Sequence, residues 1–535
     1  MTGIGPIDPS GGGTFALRGR VVTMNANRTV HNDGVVYVKD GAIAAVEDAS
    51  APPPAGFAAP VQTAGTIFPG LIELHNHLSY NALRLWQVPK LYGDRGQWGR
   101  SPEYAQSITG PMDVVGRSTT LLPAVIRYVE AKCLVAGVTT SQGIALFSNA
   151  GARRYYRGIV RNVEQTNDPS LPEAATRIAD VDAKSAVGFA AQLKKHHCCL
   201  LHLAEGVEAS ARSHFTSLHL SDGSWALAPS LAGIHCAALQ AGDFQVLATN
   251  KASMVWSPFS NLLLYGGTAD VKAAKAAGVT IGIGPDWAPS GSKNILGELK
   301  VAKWVSDSEG GIFTDVEIVA MATSTAVKIL GWQNELGSLE SGKRADLVVV
   351  EGVGGDPYAQ LIAATEKSVR LVVINGTPRY GDPDLMSASG GSGETVTIAG
   401  RARRMNLLQA EEDPIMQGIT YAGARATLVD GLANLPKLAQ APPTAMLASP
   451  LSDQPPQWFL ALDELHDTGE ALRPLLGTGG PSIALEAAAV AAARQLVPLE
   501  LDELTVIDDK TFLQRVAAQP NLPGGLAAHL AAAYA

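Results

Sequence analysis

The spacing of apolar and polar positions changes character three times along the 535-residue chain. Between residues 15 and 48 the two alternate, in ALRGRVVTM and then GVVYVKDGAIAAVED, and Asp40-Gly41 stands where a tight hairpin turn needs positive φ. A Pro/Ala-rich connector, APPPAGFAAPVQTAGT at 51–66, follows. From TIFPGLIELHNH onward, short continuous apolar runs recur between longer helix-compatible stretches: GVTTSQG at 137, RGIVRNVE at 157, CCLLHLAEG at 198, LAGIHCAAL at 231, SMVWSP at 253 and VTIGIGPDW at 279. Strands alternating with helical segments predict parallel βαβ units. The pattern spans roughly 270 residues, close to the size of a (β/α)8 barrel and long for a doubly wound domain.

At 337 the alternating, turn-rich texture returns in GSLESGKRADLVVVEG and KSVRLVVINGTPRYG. A chain that leaves a small β module, makes a barrel and comes back completes that module from both flanks. DLMSASGGSGET at 384–395 reads as a Gly/Ser linker, and the Ala/Leu-rich, Pro-broken sequence after it as short helices. The expected fold is therefore α/β: residues 1–66 the first part of a β-sandwich module, 67–336 a (β/α)8 TIM-type barrel, 337–390 the returning part, and 391–535 a mainly helical C-terminal extension of unassigned role.

Composition narrows the function classes. A 46% hydrophobic chain with 17% charged residues has the material for packed cores. Its 41 Lys+Arg against 50 Asp+Glu, net charge −9, lacks the basic footprint of a nucleic-acid binder. The absence of an apolar run of about 18 residues argues against a membrane partner, and MTGIGPIDPSGGGTFAL does not resemble a secretory signal. Cys133, Cys198, Cys199 and Cys236 do not form a disulfide framework, and the vicinal pair lies inside one predicted strand, on alternate faces. A cytoplasmic protein with a small-molecule substrate, and room for homo-oligomeric assembly, is expected.

The chemistry lies in where the histidines fall. His75 and His77 end an apolar run two residues apart, so both imidazoles face one side of a strand and reach one metal ion. His202, His235 and Asp286 fall at the ends of later predicted strands, where barrel enzymes carry catalytic groups. Four imidazoles and a carboxylate suit one divalent ion with room for water, zinc ahead of iron. His31, His196, His197, His214, His219, His466 and His529 read as structural or surface residues, and Asp243 as structural.

The ordered set PGLIELHNH, HLAEG, GIHC, SPFSNLLLYG and GPDW resembles the metal-dependent amidohydrolase superfamily, in its branch of cytosine/guanine/adenosine-type deaminases and triazine hydrolases. The resemblance covers residue 15 to about 380. It implies His75, His77, His202 and Asp286 as metal ligands, His235 as the group that orients water or polarises substrate, and Glu205 as the proton shuttle. Glu205 needs a bend after its strand, which Gly206 permits, and Glu208 is its rival. Lys184, Lys194 and Lys195 all lie in helix-like or polar sequence rather than at the end of a middle strand, so one metal is expected rather than a lysine-bridged pair. Pro285 removes a backbone donor beside Asp286 where many relatives carry Thr or Ser.

The implied reaction is hydrolysis of a non-peptide C–N bond by metal-bound hydroxide, with deamination of a nitrogen heterocycle ahead of amide or cyclic-amide hydrolysis. A metal-free small-molecule binding protein on the same scaffold is the alternative from another class. The long connector after His77 brings Tyr80, Trp86, Tyr92, Arg95, Gln97 and Trp98 together as substrate contacts or as a packed lid. Ser257 and Asn261 contact substrate or cap the following helix.

Overall fold

The computed structural model describes residues 13–149, 152–440, 457–462 and 496–535. The chain opens with β1 (Phe15–Val22), β2 (Val30–Lys39), β3 (Ala42–Asp48) and β4 (Val61–Pro69). Asp40 and Gly41, at φ 50° and 83°, make the tight turn between β2 and β3, as the Asp-Gly dipeptide predicts. β4 begins inside the expected connector, because Val61, Gln62, Thr66 and Ile67 pair in parallel with β1.

Eight short parallel strands follow: β5 (Leu71–Ile72) and β6 (Val138–Ser141), then, after the antiparallel β7 (Ala145–Ser148) and β8 (Arg153–Tyr155), β9 (Arg161–Asn162), β10 (Ala175–Arg177), β11 (Cys199–Leu203), β12 (Leu231–His235), β13 (Ser253–Trp256) and β14 (Thr280–Ile283). They form two parallel sheets, β5-β6-β9 and β10-β11-β12-β13-β14. Hydrogen bonds from Leu74 N–H to the Ile283 carbonyl (3.2 Å) and from Ala174 N–H to the Val163 carbonyl (2.8 Å) join the margins of the two sheets. Both faces of β11, β12 and β13 are covered, which is why their sequences read as continuous apolar runs. Cys198 and Cys199 point into two different core clusters, as alternate faces require.

The return supplies β15 (Leu347–Glu351), β16 (Val369–Ile374), β17 (Thr377–Gly381), β18 (Glu394–Ile398) and β19 (Arg401–Met405). All join the first four strands in one nine-stranded sheet, ordered β18-β19-β17-β16-β15-β4-β1-β2-β3. Its seam is β4 against β15, with Pro69 opposite Leu347. A buried ion pair ties this sheet to the parallel strands. Both terminal guanidinium nitrogens of Arg161 on β9 donate to Asp346, and Arg161 Nη2 also donates to Asn375 Oδ1 at 2.6 Å.

Two expectations for the C-terminal third need correction. Residues 384–395 are not a linker: Pro383 opens the helix Pro383–Ala388, whose Met386 is buried, and β18 starts at Glu394. Nor does a helical extension begin at 391, since β18 and β19 extend the sheet and β20 (Trp458–Leu460) adds to β7. Alternation in ETVTI and RARRM carries the strand signal, which the Gly/Ser residues before it obscure. Helices Tyr421–Ala433, Leu435–Leu438, Phe512–Ala517 and Leu526–Ala533 complete the described part of the extension. His466 lies outside the described residues. Among the described residues no helix is long and apolar enough to cross a membrane.

Candidate metal and catalytic site

His75 and His77 lie just beyond β5, held beside the chain leaving β14. Asp286 N–H donates to the His75 carbonyl (3.2 Å) and His77 N–H to the Asp286 carbonyl (2.8 Å), a bridge that sets all three side chains at one strand end. Gln142, just past β6, fixes the His75 tautomer. Its Oε1 accepts from Asn76 N–H (3.0 Å), so it is the oxygen, and His75 Nδ1 at 2.8 Å must donate to it. The lone pair of His75 Nε2 therefore faces inward, 3.1 Å from Asp286 Oδ1 and with no hydrogen-bond partner of its own.

The same logic orients His235 at the end of β12. Asn261 Nδ2 donates to Thr268 Oγ1 (3.3 Å), so its Oδ1 accepts from His235 Nδ1 (2.9 Å), leaving Nε2 to face Glu205 Oε2 at 3.7 Å. Pairing of Leu203 with His235 brings His202 and His235 to the same end of the sheet. His202 is buried and its Nδ1 lacks a hydrogen-bond partner. The imidazole centroids of His75, His77, His202 and His235 lie 4.7–5.4 Å apart in the five close pairings.

Three overlapping groups bring their ligand atoms within 4.8 Å of one another: His75, His77 and His202; His75, His235 and Asp286; and His202, Glu205 and His235. Inward lone pairs, an orphaned buried imidazole nitrogen and a carboxylate at their centre fit a divalent ion of the N/O-preferring kind. Burial lowers the pKa of His75 and His202, which keeps both imidazoles neutral and ligand-ready at neutral pH. Burial raises the Asp286 carboxyl, but in the acid range positive charge on the surrounding histidines, His75 first, outweighs it and holds Asp286 well below the usual carboxylate range. With Pro285 offering no N–H, the hydrogen bond to Asp286 Oδ2 comes from Ser260 Oγ (2.7 Å).

Glu205 sits past the end of β11, where Ala204 at φ 51° and Gly206 at φ 141° turn the chain. A Cβ on Gly206 would approach the Gly93 carbonyl to 2.3 Å and the Asp94 Cα to 2.7 Å. Gly206→Ala is therefore expected to displace Glu205, lowering kcat more than tenfold and lowering the melting temperature as well, as steady-state kinetics and calorimetry will show. One Glu205 oxygen is held: Trp98 Nε1 donates to Tyr265 OH (2.7 Å), which donates to Glu205 Oε1 (2.7 Å). The other, Oε2, is buried without a hydrogen-bond partner and faces His235 Nε2 and, at 3.8 Å, Arg95 Nε. Burial opposes the Arg95 charge, but Glu205 and Asp180 outweigh it, so a protonated guanidinium backs this carboxylate. Glu208 instead lies exposed and accepts from Gln97 Nε2 (3.1 Å).

The residues named as substrate contacts divide by position. Trp98 packs against Tyr104 and Trp287 and anchors Tyr265, and Trp287 stands 5.6 Å from His77 by ring centroids. Trp86 lies farther out, buried against Tyr92 and Tyr104. Gln97 belongs to the surface with Glu208, and Asn261 is engaged with His235. Ser257 is fully buried with an unpartnered Oγ and makes no side-chain cap on the helix Pro258–Tyr265. Beside His77 a small cavity is lined by Gln142, Tyr155, Glu164, Thr176 and Ile178, with Ala461 from the C-terminal extension in its wall. Asp243 pairs with Arg212 and caps its own helix, a structural role. Gln142, Tyr265, Ser260 and Trp287 are supporting residues that sequence reasoning did not single out. Gln142 could have been found by asking what ends the GVTTSQG strand, since neighbouring strands end in His or Asp.

Residues 189–379 match the family model described as Amidohydrolase family, a span containing His202, Glu205, His235 and Asp286. A 5-methylthioadenosine/S-adenosylhomocysteine deaminase of Moorella thermoacetica is 27% identical over 389 residues, covering 64% of this chain and 89% of that one. Among solved structures, a triazine hydrolase from Arthobacter aurescens superposes with TM-score 0.52 at 20% identity, over 68% of this chain and 94% of that one. E. coli guanine deaminase superposes with TM-score 0.52 at 16% identity, over 69% and 99%. At these identities the structural likeness speaks to an amidohydrolase-type α/β fold.

Proposed function

This chain carries an amidohydrolase family domain, and from that premise we propose that it is a metal-dependent hydrolase deaminating a nitrogen heterocycle, with adenine nucleosides the first substrates to test. The observation that carries the reading is the juxtaposition of two carboxylates with different environments around one imidazole cluster. Asp286 is held ionised among the histidines, while Glu205 keeps one buried oxygen unpartnered and aimed at His235. His75, His77, His202 and Asp286 would hold the ion, zinc ahead of iron. Such an ion supplies Lewis acidity and makes water a competent nucleophile near neutral pH.

The chain's own groups carry the protons. Asp286 accepts a proton from the attacking water, and Ser260 holds the carboxylate in line for it. Glu205 passes a proton to the substrate's nitrogen, so that water and an amino-substituted C=N carbon become a carbonyl and ammonia. His235, whose Nδ1 proton is engaged by Asn261, turns its Nε2 acceptor into the site, where it orients the attacking water. Trp98 and Trp287 supply the flat apolar wall that a heteroaromatic ring stacks on, with Trp86 behind them. Arg95 acts on substrate through Glu205, Gln97 borders the entrance, and Ser257 offers a hydroxyl inside.

On the same reading, the eight parallel strands are the staves of one (β/α)8 barrel at 67–336, with the flanking sheet built from the chain on either side of it, β18 and β19 included. The hydrogen bonds joining β5 to β14 and β9 to β10 support that closure.

The experiment is a paired measurement of metal and product. Purified protein is expected to hold one divalent ion per chain, and both His75→Ala and Asp286→Ala to lose it together with ammonia release. Product analysis separates the alternatives: ammonia without a new carboxylate means deamination, and a new carboxylate, with or without ammonia, means amide or cyclic-amide hydrolysis. No stoichiometric metal, with unchanged ligand binding in both variants, would sink the enzyme reading in favour of a metal-free binder.

A further inference from the structure

The C-terminal extension touches the site through a buried cluster of two lysines and two aspartates. Lys132, on the helix Leu121–Val135, donates to Asp502 Oδ2 (2.5 Å) and to the Asn81 carbonyl (2.8 Å). Lys293, in the loop after Asp286, donates to Asp502 Oδ1 (2.6 Å) and to Asp509 Oδ2 (2.8 Å). All four side chains are at most 3% exposed, so each charge depends on the others. The Asp502 backbone is engaged as well: its N–H donates to the Ala82 carbonyl (2.9 Å), and its carbonyl accepts from Tyr128 OH.

What these bonds hold is specific. Asn81 belongs to the loop after His77. Its Nδ2 donates to Asn76 Oδ1 (3.0 Å), the residue between His75 and His77, and its Oδ1 accepts from Ala288 N–H (2.7 Å), two residues past Asp286. Asp502 thus grips, through Lys132, the loop that follows the His-x-His pair and, through Lys293, the loop that follows Asp286. We propose that Asp502, assisted by Asp509, is a positioning residue by which the C-terminal extension sets the two ligand-bearing loops in register. The inference rests on the reading of His75, His77 and Asp286 as metal ligands, and its core claim concerns the loops themselves.

Hydrogen exchange on the full chain tests that claim directly. Asp502→Asn is expected to speed exchange about tenfold in peptides covering both 77–83 and 287–294. It is also expected to weaken zinc affinity, read by chelator competition, on the order of 10–100-fold. Asp509→Asn removes one of the two carboxylates on Lys293 and leaves the Lys132–Asp502 bond, so it should loosen 287–294 alone. It also serves if Asp502→Asn fails to fold. Leu530→Ala opens a void where the last helix packs and touches none of the hydrogen bonds that join Asp502 to the two loops; it should lower the melting temperature and leave both readouts unchanged. Unchanged exchange at both loops in Asp502→Asn, or equal loosening of them by Leu530→Ala, overturns the proposal. Wild-type protein that binds no zinc while Asp502→Asn still loosens both loops overturns the ligand reading and leaves the clamp standing.

Discussion

Glu205→Gln is expected to lower kcat by about 10²–10⁴-fold, the usual contribution of a positioned acid–base group, or roughly 3–5 kcal/mol of barrier. The substitution is nearly isosteric, and an amide oxygen still accepts the Tyr265 hydroxyl that now holds Oε1. What it removes is the proton-carrying capacity of Oε2, the oxygen with no hydrogen-bond partner, beside His235 and Arg95. Because the ion is assigned to His75, His77, His202 and Asp286, with Glu205 outside that set, metal content should be unchanged. Substrate affinity should change much less than kcat, since the loss is of a transition-state contribution. A variant that keeps wild-type kcat removes Glu205 from the mechanism, and one that loses its metal makes Glu205 a ligand instead.

The second large effect concerns stability. Asp346→Asn is expected to destabilise the fold by about 3–5 kcal/mol, because it strips the charge from one partner of a fully buried ion pair. Arg161 reaches Asp346 with both terminal nitrogens, and its other hydrogen bonds, to Thr140 and Asn375, go to neutral oxygens. After the substitution the guanidinium stays buried with no anion in contact. The Asp346 backbone also accepts Gly70 N–H, so the pair stands where the flanking sheet meets the first parallel strand. Equilibrium unfolding in urea measures the loss. Replacing both partners together, as Arg161→Met with Asp346→Leu, should recover much of it, since the penalty comes from the stranded charge. A single variant within 1 kcal/mol of wild type would mean that water reaches Arg161 in the folded protein.

Much of this site was legible in the sequence because its donors stand at ends of apolar runs. A parallel strand covered on both faces has little reason to end in His or Asp, so His202, His235 and Asp286 stood out against their neighbours. The bend at Glu205 was legible for a related reason, since only glycine takes the φ of Gly206 without strain. That two amides fix the tautomers was not legible. Gln142 and Asn261 are common residue types, and their roles appear only when the fold places one past β6 and the other on the helix Pro258–Tyr265 within 2.8–2.9 Å of an imidazole. Strand β10 was missed because EAATRIAD mixes polar and apolar positions on three short half-buried residues. The sheet strands β18 and β19 were missed because the Gly/Ser residues before them carry the stronger local signal. The role of Asp502 depends on contacts across about 200–400 residues of sequence, which no local pattern encodes.

The seam of the nine-stranded sheet has a consequence for how the protein is made. Pro69 and Leu347 are opposite one another across β4 and β15, yet about 280 residues separate them in the chain. At a synthesis rate of about 5–20 residues per second, β4 leaves the ribosome roughly 15–60 seconds before its partner exists. During that interval an apolar strand ending in TIFP presents an unpaired edge, the kind of surface that nascent chains join to one another. The intervening parallel strands and their helices must therefore emerge while that edge waits. The order of synthesis makes the last-built wall of the sheet the one that closes it.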